Sequence, residues 1–152
     1  AKLTPNVGDI AEIAKAAEAG GADALVVANA ILGMSIDTET MRPTLGSIMG
    51  GLSGPAVKPI AVRMTYQCAN AVSIPVIGCG GIASARDVVE FLLAGATAVQ
   101  VGTITFQHPT AMMTILDELE QYCDARGINH VSDLTGAVKD GELSTDKYEA
   151  VR

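Results

Sequence analysis

Gly21-Ala-Asp-Ala-Leu-Val-Val27 and Gly95-Ala-Thr-Ala-Val-Gln-Val101 follow one pattern: a glycine, a step of small residues, then a short apolar run. A glycine just past a helix ends it, because glycine takes the left-handed conformation there at little steric cost. A short aliphatic run of this kind fits a parallel strand covered on both faces. Two such joints are either two similar loops or repeated βα units of a barrel.

The flanks extend the alternation. Ile10, Ile13, Ala14 and Ala17 recur at helical spacing, with Asn6 and Asp9 placed as cap and third-position acid. Pro75-Val-Ile-Gly78 reads as a strand, and Ser84 with Asp87 as a capped start to a helix through Val88, Phe91 and Leu92. Val57, Ile60, Ala61, Met64 and Cys68 give another helix face, begun near Pro55. Thr110 to Arg126 is the clearest helix, with Met112, Ile115, Leu116, Leu119 and Cys123 on one stripe and Gly127 as its stop. The six Met read as core filler. Residues 30 to 55 form a long Gly- and Pro-containing excursion, of a length that is uncommon unless functional. Asp37, Glu39 and Arg42 within it are expected in solvent. Residues 128–152 read as a short helix around Val131–Val138 and a polar tail.

With a strand ending at Lys2-Leu3, the chain holds four strands, each followed by a helix. The fold class is α/β. Four units make half of an eight-unit barrel, which takes ~250 residues, or else a small open sheet.

Composition narrows the function. The 152 residues bound one domain, and 10 Lys+Arg against 17 Asp+Glu give a net charge of −7. That balance argues against nucleic acid and anionic membranes, which require clustered positive charge. With 49% hydrophobic and 18% charged residues the chain is not disordered. No apolar run reaches the ~18 residues of a membrane helix, and no leader is visible at Ala1-Lys2-Leu3. Cys68, Cys79 and Cys123 form no CxxC, which fits reduced thiols in a cytoplasm and neither a zinc ribbon nor a disulfide scaffold. His108 and His130 lack partners at metal-ligand or triad spacing, so no metal site is expected. The start, without Met and beside a strand-like segment, points to a fragment or processed chain.

Ligands of α/β proteins bind beyond the C-terminal ends of the strands. Gly80-Gly81 and Gly102-Thr103 follow the last two strands. Such pairs serve as tight turns or as places where backbone N–H groups approach a phosphate. Neither loop has Lys or Arg, so N–H groups would carry that contact. Lys2 is a cation at the mouth or a solvated terminal lysine. Asn29 interrupts an apolar strand end, where an amide requires hydrogen-bond partners. Gly50-Gly-Leu-Ser-Gly-Pro55 is Gly-rich but lacks the GKS or GKT of a P-loop.

Lys2-Leu-Thr-Pro-Asn6, Asn29, Leu32-Gly-Met34, Gly50 to Pro55, Lys58-Pro59, Gly80-Gly-Ile82 and Val101-Gly-Thr103 occur in one order and spacing. Individually weak and jointly specific, they resemble the C-terminal half of a class 1B, NAD-linked dihydroorotate dehydrogenase catalytic subunit, from residue 1 to about 136. The resemblance implies half of an FMN-binding (β/α)8 barrel over 1–136, followed by a polar tail over 137–152. It places Lys2 beside the flavin ring, Ala28 against it through its backbone, and Gly54 beneath it. Gly80, Gly81, Gly102 and Thr103 correspond to the FMN phosphate cradle, and Asn29 to a donor to the pyrimidine. Ala30 departs from the usual Thr or Ser and removes one polar substrate contact. The implied reaction is oxidation of dihydroorotate to orotate in pyrimidine biosynthesis, within a homodimer paired with an FAD and iron–sulfur subunit.

The family's catalytic Cys would lie upstream of residue 1, so no catalytic residue is assigned in this chain, which alone is expected to be inactive without the other barrel half. Two other readings remain: a related flavin barrel acting on another pyrimidine, and a phosphate-binding barrel without flavin.

Overall fold

The computed structural model describes residues 1–139. Of the polar tail expected over 137–152, residues 140–152 lie outside the described residues. Helix α1 runs over Ile10–Ala19, then come strand β1 (Leu25–Val27), hairpin strands β2 (Ile31–Met34), β3 (Ile36–Asp37), β4 (Arg42–Pro43) and β5 (Met49–Leu52). Helix α2 (Lys58–Ala69), β6 (Val76–Cys79), α3 (Ala85–Leu93), β7 (Ala98–Gln100) and α4 (Ala111–Asp124) complete the regular elements.

Strands β1, β6 and β7 form a parallel sheet in that order, and Lys2 bridges Val26 in parallel beside β1. Four consecutive strand positions, each followed by a helix, reproduce half of a (β/α)8 barrel. The side chains that face the helices are buried: Leu25, Val27 and Val76 pack with Ile10, Ala14, Met64 and Cys68. Farther along, Phe91, Val88 and Leu92 of α3 pack with Ala61, Ile115 and Leu134. The opposite face, which carries Lys2, Val26, Ile77, Ala98 and Gln100, lies open to varying degrees.

The repeated glycine pattern has one physical cause. Gly21 and Gly95 sit at φ 90° and 106°. Ala22 N–H donates to Ala17 O and Gly21 N–H to Glu18 O; Ala96 N–H donates to Phe91 O and Gly95 N–H to Leu92 O. These are two copies of the same Schellman cap. Gly127 (φ 64°) closes α4 similarly, with Ile128 N–H donating to Cys123 O at 3.0 Å.

Several expectations are corrected. Asn6 does not cap α1; Asp9 does, its carboxylate accepting from Ala11 N–H at 2.8 Å. Asn6 instead ties the chain to the excursion: its Oδ1 accepts from Leu32 N–H at 2.8 Å and its Nδ2 donates to Ala30 O at 3.2 Å. The excursion is not an irregular loop but two antiparallel ladders, β2 with β5 and β3 with β4. Asp37 is exposed as expected, and it also accepts from Glu39 and Thr40 N–H groups. The Thr40 and Glu39 donors hold its carboxyl below the usual range. Of the six Met only Met64 is buried; Met41, for one, is 84% exposed. The α4 stripe buries Ile115 but leaves Met112 and Leu116 about half exposed. Residues 131–134 form a single 3-10 turn in place of the longer helix expected there.

Thr65 on α2 is fully buried, and its hydroxyl has no partner among the described residues. Thr65→Val keeps the shape and removes an unsatisfied polar group, a change that is neutral or stabilising. The expected result is a gain of up to ~1 kcal/mol, read as a higher midpoint in chemical denaturation.

Candidate functional site

An open cleft of about 180 Å³ lies at the C-terminal ends of the strands. Complete small-molecule pockets run ~300–1,000 Å³, so the described residues form one wall of a site. Lys2, Ala28, Asn29 and Ala30 line one side; Gly80, Gly81, Gly102 and Thr103 line the other. Gly54 lies just behind them, where a Cβ would meet Thr103 Cγ2 at 3.7 Å. The structure thus gathers every expected site residue in one place, from five separate segments. Leu52, Ser53, Val57, Cys79, Ile82 and Gln100 complete the wall.

The phosphate-type geometry can be tested on the backbone. The N–H groups of Gly81, Gly102 and Thr103 have no acceptor among the backbone and side-chain partners of the described residues, while Gly80 directly follows the Cys79–Gln100 ladder pair. A Cβ built on Gly102 would have no protein atom within 4 Å, so this glycine borders open space. The two loops follow neighbouring strands, since Cys79 pairs with Gln100. Unpaired N–H groups lining one cleft beside open space suit a phosphate.

Gly81 does a different job. It holds φ 74°, and a Cβ there would lie 2.7 Å from Gly54 O and 2.8 Å from Lys58 N. The Gly80-Gly81 loop therefore seats directly on the backbone that starts α2. Lys58 and Asp87 lock this seat. Lys58 Nζ donates to Asp87 Oδ1 at 2.7 Å and to Glu90 Oε1 at 2.8 Å. Asp87 Oδ2 accepts from Ala83 N–H at 2.8 Å, and its own N–H donates to Ser84 Oγ.

Burial pushes the Asp87 carboxyl upward, but the Lys58 ammonium, the Ala83 N–H and the Ser84 hydroxyl outweigh it and leave the group below its usual range. Asp87, then Glu90, raise the Lys58 ammonium. A depressed carboxyl contributes stability above its unfolded value of ~3.9 and loses it as pH falls through the folded value. A raised lysine contributes below ~10.4 and loses it at higher pH. Asp87→Asn is therefore expected to cost ~1–2 kcal/mol between these limits, with the cost shrinking in acid. Denaturation midpoints at neutral pH and near pH ~3 check it.

The remaining groups follow the same logic. Asn29 Oδ1 accepts from Ala30 N–H at 2.8 Å, and the Asn29 NH2 has no acceptor among the described residues. Lys2 Nζ donates to Gln100 Oε1 at 3.3 Å and to Cys79 Sγ at 3.7 Å. Cys68 is buried in α2, where desolvation pushes its thiol up to about 11, and Cys123 lies in α4. Among the described residues no cluster of His, Cys, Asp or Glu could hold a metal, and no helix is long and apolar enough to cross a membrane.

Fold and cleft together define one wall of a partial barrel, open at the C-terminal ends of its strands. The dihydroorotate dehydrogenase family model matches residues 1–123, and the chain belongs to that family. The dihydroorotate dehydrogenase B (NAD(+)) catalytic subunit of Alkaliphilus oremlandii is 55% identical over 135 residues, which is 89% of this chain and 45% of that protein. The same subunit of Trichlorobacter lovleyi is 56% identical over 138 residues, 91% of this chain and 45% of that protein. A crystal structure of DHODH from Eimeria tenella in complex with ferulenol superposes with a TM-score of 0.74 at 28% identity, covering 90% of this chain and 37% of that one. The chain spans about half the length of the curated relatives it matches.

Proposed function

We propose that this chain supplies the FMN-phosphate wall and part of the substrate site of an enzyme that oxidises dihydroorotate to orotate in pyrimidine biosynthesis. The observation that carries the reading is the set of unpaired N–H groups at the ends of β6 and β7, in a chain of this family. Gly80, Gly81, Gly102 and Thr103 would hold the phosphate, and Ala28 and Gly54 would lie against the ring. FMN, when bound, supplies the acceptor for the hydride that leaves the substrate.

The chain's own residues bind and orient. Lys2 places a positive charge in the cleft, where it favours electron-rich flavin. Asn29, its carbonyl oxygen held by Ala30 N–H, offers NH2 donors to the pyrimidine. The base that removes the substrate proton is assigned to a part of the whole protein other than this chain. Cys68 is buried and holds its proton to about 11, and Cys79 already accepts from Lys2. The whole enzyme is read as a homodimer that passes electrons to a subunit carrying FAD and an iron–sulfur cluster, and on to NAD. The reduced thiols suit a cytoplasmic setting.

Denaturing mass spectrometry of the intact protein that contains this chain tests the cofactor. Release of FMN is expected. A sugar phosphate in its place, or no ligand after incubation with FMN, contradicts the reading. Ala30 favours one variant, a flavin barrel acting on another pyrimidine, because it lacks a hydroxyl for the substrate. One missing hydrogen bond weakens binding by ~1 kcal/mol. Dihydroorotate turned over in preference to dihydrouracil supports the main reading; the reverse supports the variant.

A further inference from the structure

The geometry points to Gln100 as a positioning residue that, together with Cys79, fixes the Lys2 ammonium over the cleft without cancelling its charge. The inference rests on the flavin reading above. Lys2 stands at the first strand position and Gln100 on the fourth. In a flat sheet three spacings of ~4.8 Å would separate them by ~14 Å. Sheet curvature and the reach of the two long side chains together bring Lys2 Nζ to 3.3 Å from Gln100 Oε1, and Lys2 Nζ also lies 3.7 Å from Cys79 Sγ.

Strand alternation puts all three side chains on one face. Lys2 is level with Val26, Val26 with Ile77, and Cys79 and Gln100 sit one pleat further toward the strand ends. Polar Gln100 thus closes a strand of otherwise apolar residues, on the face that carries the cleft.

The partners' chemistry matters as much as their place. The Gln100 amide carries no charge, and the ion pairs of the described residues involve Lys58 and not Lys2. A glutamate at position 100 would accept from Lys2 equally well but neutralise it. Glutamine holds the ammonium in place and leaves its field intact, which is what a residue meant to stabilise negative charge on a ligand requires.

The test is the reduction potential of FMN bound to the intact protein, measured for wild type, Lys2→Met, Gln100→Glu and Gln100→Leu. Flavin content is measured for each variant, and the potential is read on the flavin that is bound. Lys2→Met and Gln100→Glu are each expected to make the potential more negative, by tenfold or more in the equilibrium constant, or ~30 mV for a two-electron couple. Gln100→Leu should shift it less, in the same direction, because the ammonium keeps its charge and loses its anchor. The inference is overturned if Lys2→Met shifts the potential while both Gln100 variants match wild type. It is also overturned if none of the three variants moves it. A protein that takes up no FMN at all defeats the flavin reading and this inference with it.

Discussion

Gly81→Ala should destabilise the intact protein by about 3 kcal/mol and abolish its retention of the phosphorylated cofactor. The estimate adds ~1–2 kcal/mol for a left-handed alanine to ~1–3 kcal/mol for overpacking. The new Cβ meets backbone on both sides, at Gly54 O and Lys58 N, and backbone does not rotate away as a side chain would. At ~2–4 °C per kcal/mol, the melting temperature should fall by roughly 10 °C. Gly102→Ala is the contrasting variant. Its Cβ would enter open space, so stability should change by less than ~0.5 kcal/mol, while FMN affinity falls. If Gly102→Ala binds FMN as well as wild type, the phosphate does not lie against that loop.

Phe91→Ala should cost ~3–5 kcal/mol, the usual range for a fully buried aromatic. Phe91 is completely enclosed, and its ring fills the space beside Gly78 of β6, where any Cβ would collide with it. Losing the ring would loosen α3 against β6, and β6 leads directly into the Gly80-Gly81 loop. Thermal unfolding followed by circular dichroism checks the stability loss. Cofactor affinity should drop in parallel, because Phe91 holds the strand whose end forms the cradle. A change below ~1 kcal/mol would show that α3 does not set the position of β6.

The repeated units were legible because their physics is local. Gly21 and Gly95 announce helix ends through a conformation that glycine favours, and the aliphatic runs after them have room only for strands. Ser84 with Asp87 was readable for the same reason: a cap joins residues only three positions apart, and the structure has Asp87 N–H on Ser84 Oγ.

The excursion was not legible. β2 and β5 pair across a gap of fourteen residues, and Asn6, from far upstream, supplies the bond that fixes β2. Nothing in residues 30–55 alone announces that partner. The Met residues misled because a flexible apolar side chain suits an exposed ladder as well as a core.

At the site, the glycines were legible from their place after strands. Gln100 was not singled out, although a polar residue inside an apolar strand was the available signal. Lys58 appeared only as part of a motif, since its role depends on α3 packing beside α2.

The proposed function makes this wall part of a flavin enzyme that oxidises dihydroorotate. The direct measurement is anaerobic addition of dihydroorotate to the FMN-loaded intact protein, following the absorbance of oxidised flavin. That absorbance is expected to bleach, with one orotate formed per flavin. FMN-loaded protein that keeps its oxidised spectrum under excess dihydroorotate would contradict it.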